Sequence, residues 1–140
     1  MSTFRHYREF PTAPEKVFAA IQDPTRLARW WGPEGFSNTF STFEFREGGS
    51  WEFVMHGPDG TDYPNQSEFA EIIPNSKVRI NHISLPRFEL SISLEQKGSG
   101  TALTWIGVFQ NEAFAEQLRS VLEAANEQNL DRLNAELAGE

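Results

Sequence analysis

Three histidines are the most versatile groups in this chain of 140 residues, and each falls in a different run of strand-like alternation: His6, His56 and His82. An imidazole can move protons near neutral pH or ligate zinc. No His-Glu-x-x-His spacing occurs, and the three lie far apart in sequence, so no metal site is expected. His82 shares parity with Val78 and Ile80, which puts it on an apolar face where it could transfer a proton; the plainer reading is a hydrogen-bonded histidine without chemistry. His56 precedes a turn and should be solvated. Ser91 and Ser93 alternate with apolar residues and should face water. Glu68, Glu71 and Glu89 could act as a general base only if burial raised their pKa. Nucleophile elbow, phosphate loop and dinucleotide fingerprint are all missing, Gly98-Ser99-Gly100 reads as a hairpin turn, and no cofactor is expected.

The composition narrows the function classes. A chain of this length can bury about two thirds of its unfolded surface in one core, so residues 1–140 read as a single domain. There is no cysteine to supply disulfides or thiolate ligands, and the formal charge of -8 leaves no clustered Lys and Arg for nucleic acid or an anionic membrane. The N-terminus has no apolar signal region and no long apolar run occurs anywhere, which points to a cytoplasmic protein. Asn65-Gln66-Ser67 matches a glycosylation acceptor, read as chance without a secretion signal.

These groups must be positioned by a definite order of elements. Thr3 to Phe10 alternates as a strand, with Phe4 and Phe10 on one face and Tyr7 on the other. Thr12-Ala13-Pro14-Glu15 fits a capping box with an early proline. A helix should follow with Val17, Phe18 and Ile21 inward, and Asp23-Pro24 should end it and start a second short helix through Trp30. From Phe36 to about Phe109, short Gly, Pro and Asn turns separate alternating runs, the signature of an antiparallel meander. Trp51, Phe53 and Met55 share a face, as do Phe88, Leu90, Ile92 and Leu94, and Leu103 with Trp105. Their opposite positions are often Glu, Ser or Thr, so one side of the sheet is wet. Asn111 to about Leu137 lacks Gly and Pro and carries Phe114, Leu118, Val121, Leu122, Ala125, Leu133 and Leu137 at helical spacing. One long helix of roughly 40 Å is expected, with Glu112, Glu116, Glu123 and Glu127 outward. It is the element able to cover the dry face of the sheet, and a curved sheet around one helix leaves a gap suited to a ligand.

The string FPTAPEKVFAAIQDPTRLARWWGPEGF, followed by REGGSWEFVMHGPDG and a long terminal helix, resembles the START-like helix-grip superfamily (SRPBCC), and within it the family of the activator of Hsp-90 ATPase homologue C-terminal domain. The most specific matches are Ala13 to Phe18, Trp30-Trp31-Gly32-Pro33, Arg46-x-Gly48-Gly49 and Pro58-Asp59-Gly60. The resemblance implies an α+β fold in which a curved antiparallel sheet of six or seven strands wraps a long C-terminal helix, with two short helices after the first strand. It places Trp30 and Trp31 beside one mouth of a cavity, where Gly32 and Pro33 break the helix and let one ring enter the core while the other points to the opening. Both rings gluing the short helices to the sheet is the alternative. Arg46 would be an ion pair or a turn anchor.

The lining expected from the helix end and first strands is Trp30, Trp31, Phe36, Trp51 and Phe53. His82, Phe88 and Trp105 would follow from later strands, and Phe114, Leu118 and Leu122 from the terminal helix. Rings outnumber catalytic groups, so the leading expectation is binding of a small hydrophobic or aromatic molecule. A cyclase or hydratase using the same cavity, with His82 or a sheet carboxylate moving protons, is the alternative, and a co-chaperone acting on the Hsp-90 ATPase is a third. A homodimer through exposed sheet edges or through the meander is the further partner expectation.

Overall fold

A computed structural model describes residues 1–139. Strand β1 (Ser2–Phe10) leads into helices α1 (Pro14–Gln22) and α2 (Pro24–Trp30). Strands β2 (Ser37–Phe43), β3 (Ser50–His56), β4 (Asp62–Ile73), β5 (Lys77–His82), β6 (Phe88–Lys97) and β7 (Gly100–Phe109) follow, then α3 (Glu112–Gln117) and α4 (Arg119–Ala138). The seven strands form one antiparallel sheet in the order β1-β7-β6-β5-β4-β3-β2. Strands β2 to β7 are therefore a continuous meander, while β1 returns to pair with β7 at the far edge. The two short helices carry the chain from one edge of the sheet to the other. In doing so they cover one end of its dry face. Register shifts between Phe40 and Thr42, and between Phe69 and Glu71, add the bend that extra residues impose on a ladder. This is the helix-grip fold.

Two local expectations are corrected. Thr12 does not cap α1: Ala13 is the N-cap, in extended conformation, and no side chain bonds the free amides. Pro14 explains this, because a proline pushes the residue before it out of the helical region. The Thr12 carbonyl instead accepts a hydrogen bond from Thr101 Oγ1 at 2.6 Å. Nor is the terminal segment one helix. It breaks at Leu118, which has φ -106° and ψ 14°, so α3 is a separate short turn of helix and the 20 residues of α4 span about 30 Å.

The remaining boundaries have plain causes. Asp23 caps α2 by accepting from the amides of Thr25 and Arg26, as its side-chain oxygen is suited to do. Gly49 is required by contact, since a Cβ there would stand 2.0 Å from the Glu44 carbonyl oxygen. The core gathers Val17, Ile21, Leu27, Trp30, Trp51 and Leu133, each almost inaccessible to solvent. Among the described residues, no helix is long and apolar enough to cross a membrane.

Candidate functional site

The Trp-Trp-Gly-Pro segment is where the short helices hand the chain to β2, and the terminal helix holds it there. Gly32 has φ 95°, and a Cβ on it would come within 2.7 Å of Met55 Cε, so both conformation and space demand glycine. With Gly32 and Pro33 ending α2, its last carbonyls need donors. Asn38 donates to the carbonyls of Ala28 and Trp31 at 3.1 and 2.9 Å, and Arg132 on α4 supplies more. Its Nη1 lies 3.0 Å from the carbonyl oxygens of Trp31, Gly32 and Pro33, and its Nη2 lies 2.7 Å from that of Arg29 and 2.9 Å from that of Phe36. Partial burial lowers the Arg132 pKa, yet a guanidinium keeps its charge in proteins, and here the charge sits at the negative end of α2. One turn earlier, the buried Asn129 accepts from the Gly32 amide at 3.2 Å and donates to the Trp30 carbonyl at 2.9 Å.

So clamped, the adjacent tryptophans diverge. Trp30 is buried in the core and donates Nε1 to the Ala20 carbonyl at 3.0 Å. Trp31 meets it edge-on, with centroids 5.6 Å apart, and spreads across Trp51 at 5.0 Å and Trp105 at 5.7 Å. Trp31 forms one wall of a cavity of about 260 Å³. Phe53, Ile80, Phe88, Leu90 and Trp105 line its sheet side, and Phe114 with Leu122 its helix side. Among the described residues no Asp, Glu, Lys or Arg lines it.

The polar groups of the cavity are few and placed. His82 lies on β5 directly across from Ser67 of β4, and both are buried. The imidazole stacks on Phe88 with centroids 4.5 Å apart and planes 13° from parallel. Its Nδ1 is 2.8 Å from the Pro86 carbonyl oxygen, and its Nε2 is 2.6 Å from Asn65 Oδ1. Burial lowers the His82 pKa, against a smaller opposing effect of the backbone at Pro86 and Ser84. Asn126 and Asn129 of α4 face the same space.

Comparison with known proteins agrees with this architecture. Residues 11–138 match the family model described as Activator of Hsp90 ATPase homolog 1-like protein. The chain belongs to that family. Among solved structures, a protein from Arthrobacter aurescens is 26% identical, with a TM-score of 0.90 over 99% of this chain and 87% of that one. The AHSA1 protein from Silicibacter pomeroyi is 24% identical, with a TM-score of 0.82 over 98% of each chain. A protein from Chromobacterium violaceum is also 24% identical, with a TM-score of 0.85 over 96% of each. No curated protein matches.

Within this family member the expected site residues separate into two groups. Trp31, Phe53, His82, Phe88, Trp105, Phe114 and Leu122 stand at the cavity wall. Trp30 and Trp51 are instead core: Trp51 packs at 4.3 Å on Phe53 and at 5.8 Å on Phe69. Phe36 lies outside the lining, its ring 5.9 Å from Tyr63, and Leu118 is spent at the break between α3 and α4.

The carboxylates are on the other side of the sheet. Glu71 bonds Lys77 and Arg79, and Glu89 bonds Arg79. Lys77 foremost holds Glu71 below the usual carboxylate range, the reverse of what a general base at neutral pH needs. Arg46 is exposed, 3.7 Å from Glu44, and its carbonyl receives the Gly49 amide. His56 joins Thr39 and Asp62, each at 2.7 Å, in a row open to solvent. His6 is buried against α4, 2.5 Å from Glu127.

Sequence reasoning missed the polar lining residues Asn65, Ser67, Asn126 and Asn129, the apolar ones Ile80 and Leu90 among others, and Arg132 of the clamp. Asn65, Ser67 and Phe69 share one parity on β4, which was the available signal for the first two. Asn126, Asn129 and Leu133 follow a helical stripe, and only their polarity hid them. Arg132 left no local signal, because its partners are carbonyls about 100 positions away in sequence.

Proposed function

We propose that this protein binds a small hydrophobic or aromatic molecule in the space between the sheet, the Trp-Trp-Gly-Pro segment and α4. The observation that carries this reading is the ring-lined cavity itself. Its volume of about 260 Å³ lies just under the range of roughly 300 to 1,000 Å³ common for ligand sites, and an apolar hole of about 150 Å³ already accepts benzene. Apolar walls with a few fixed polar groups at one end are what a binding site needs to hold and orient such a guest. The test is calorimetric titration of the full chain with 3-phenylpropanol, with Ile80→Phe as the comparison. Binding by the wild type and its loss when the extra ring fills the space supports the reading; no heat with either protein counts against it.

A second reading, a cyclase or hydratase type of enzyme, is favoured by one feature, an imidazole fixed at Nδ1 whose Nε2 borders the cavity. Turnover unchanged in His82→Ala would remove it. Activation of a chaperone ATPase rests on the family description alone, and an ATPase assay with purified Hsp90 that shows no stimulation would dispose of it.

A further inference from the structure

The polar end of the cavity is short of one proton. His82 Nδ1 lies 2.8 Å from the Pro86 carbonyl, and since a carbonyl only accepts, Nδ1 carries a hydrogen. Nε2 lies 2.6 Å from Asn65 Oδ1, while the amide nitrogen of Asn65 donates to the Tyr63 carbonyl at 2.7 Å. That second bond decides which end of the amide faces the ring, as such networks must. Turning the amide over would set Oδ1 against the Tyr63 carbonyl, exchanging one mismatch for another. Ser84 Oγ accepts the Gln66 amide at 3.0 Å and can still donate its own hydrogen to Nε2, but at 3.4 Å that contact is too long for a strong bond. The two short contacts of the ring thus both go to acceptors, a pair that only imidazolium bonds in full, while the neutral ring has only the long Ser84 contact at Nε2.

Burial works the other way, because a charge in an apolar setting needs a counter-charge. The surrounding elements do not place one in the cavity. On β6, Glu89 is engaged by Arg79 at 3.3 Å. With Arg87 and the Met1 amino group, it lines a separate groove along the other side of His82, and the Met1 amine pairs with Glu112. From α3 comes Phe114, and from α4 come Asn126 and Asn129. Behind Asn126, His6 is paired with Glu127, which also takes Arg8. Within the cavity, among the described residues, His82 is the one group able to titrate near neutral pH.

We propose that the cavity is built for a small apolar molecule bearing one acidic oxygen, a carboxylate in the simplest case, which docks on His82 Nε2 and supplies the missing negative charge. This rests on the cavity-binding reading above. The carboxylate takes the place of Asn65 Oδ1, and Ser67, across the ladder from His82, offers a hydroxyl to its second oxygen. At neutral pH a free carboxylate is ionised and free His82 is neutral. Binding therefore takes one proton from solvent: an N–H bond forms at Nε2, and the bound pair is imidazolium and carboxylate. Affinity then rises by up to about tenfold for each pH unit lowered between the pKa of His82 in the bound pair and that of free His82, levels off once free His82 is protonated, and falls when the ligand itself protonates near about 4.3.

The experiment is calorimetric titration of the full chain with 3-phenylpropionate and with 3-phenylpropanol, at pH 6 and pH 8, in buffers of different ionisation enthalpy. The expected result is carboxylate binding at least tenfold tighter at pH 6, with uptake approaching one proton, and alcohol binding equal at both. His82→Gln should keep the alcohol and lose both the pH step and the proton uptake, while Glu89→Gln, on the outer face, should keep them. Carboxylate binding that ignores pH, or a pH step that survives His82→Gln, overturns the proposal. Alcohol binding without preference for the carboxylate sinks this proposal and leaves the cavity reading standing; binding of neither sinks both. Should His82→Gln fail to fold, nitrogen NMR of the wild-type imidazole decides between the same outcomes: Nε2 gains a proton on adding 3-phenylpropionate, or the proposal is wrong.

Discussion

The two ends of the dry sheet face are covered differently. At one end α1, α2 and the last turns of α4 meet over the strands, and Val17, Leu27, Trp30, Leu130 and Leu133 are at most 1% exposed. At the other end, beyond the Trp31-Gly32-Pro33 segment, α3 and the first turns of α4 face strands β3 to β7, and a cavity remains between them. Both ends draw on the same sheet and the same helix. The difference is the extra layer of two short helices, together with Asn126 and Asn129 on the inward stripe of α4, where apolar side chains would have packed. Emptiness here follows from the sheet extending beyond its cover. The clamp of Arg132 and Asn129 stands at the border between the two.

The sharpest way to break this contrast is a pair of identical truncations on α4. Leu133→Ala, in the filled end, should cost about 3 to 4 kcal/mol, within the range for buried leucines in tight cores. Leu122→Ala, at the cavity wall, should cost about 1 kcal/mol, because it loses few contacts and widens a hole already present. Urea unfolding of the two variants measures both. Equal losses would mean that the two ends are packed alike.

Arg132→Met tests the border. It removes one donor from five carbonyls of the Trp-Trp-Gly-Pro segment and its flanks, of which Trp31 keeps Asn38 Nδ2 and Pro33 keeps the Phe36 amide, and since a hydrogen bond from a charged group contributes about 1.5 to 3 kcal/mol net, a loss of about 3 kcal/mol is expected once solvent replaces the more exposed ones. The same variant should weaken 3-phenylpropanol binding, because Trp31 is no longer held at the wall. A stability loss with unchanged binding would show the clamp serving the filled end alone.

Which parts could be read in advance follows from how local their causes are. Alternation on β3, β5, β6 and β7 and the turn residues between strands act over a few positions, so the meander and the inward parity of His82 were legible. Gly32-Pro33 marked a helix end where Trp30 and Trp31 could diverge, but which ring would enter the core was not legible, and Trp30 was counted with the lining. The capping box was misread because Pro14 acts backward on Ala13, a rule that outranked the Thr12 and Glu15 pattern. The break at Leu118 carries no Gly or Pro and arises where α3 follows the end of β7 rather than the line of α4. Trp51 looked like cavity wall because parity says which face a ring is on, not how far along that face the cover reaches. Asn65 stood out only as a glycosylation match, although its parity with Ser67 and Phe69 already turned it inward.

An acid titration separates the filled end by charge. Hydrogen bonds from Arg29, then Arg26, outweigh partial burial and hold the Glu136 carboxyl at about 2. A carboxylate with a depressed folded pKa stabilises fully above its unfolded value and loses that contribution as pH falls through its folded one. Glu136→Gln should therefore cost about 1 to 2 kcal/mol at pH 7, less as pH falls below about 4.5, and little once pH is below about 2. Unfolding curves of wild type and variant that converge over that window tie the short helices to α4 through this group. A difference that persists at the acid end would assign the cost to shape instead.

The smallest effect belongs to Val121, which helical spacing placed inward and the structure leaves 62% exposed. Val121→Ala removes a β-branched side chain from a solvent-facing helical position, where alanine has the better propensity, so the change should lie within about 0.5 kcal/mol of zero and lean toward stabilising. The hollow end explains why: a helix that covers the sheet with space to spare does not need its whole apolar stripe, and Leu122 and Ala125 meet the cavity while Val121 turns away. A loss above about 1 kcal/mol on urea unfolding would mean that the first turns of α4 pack with Val121 inward, which would fill the space where the ligand is proposed to sit.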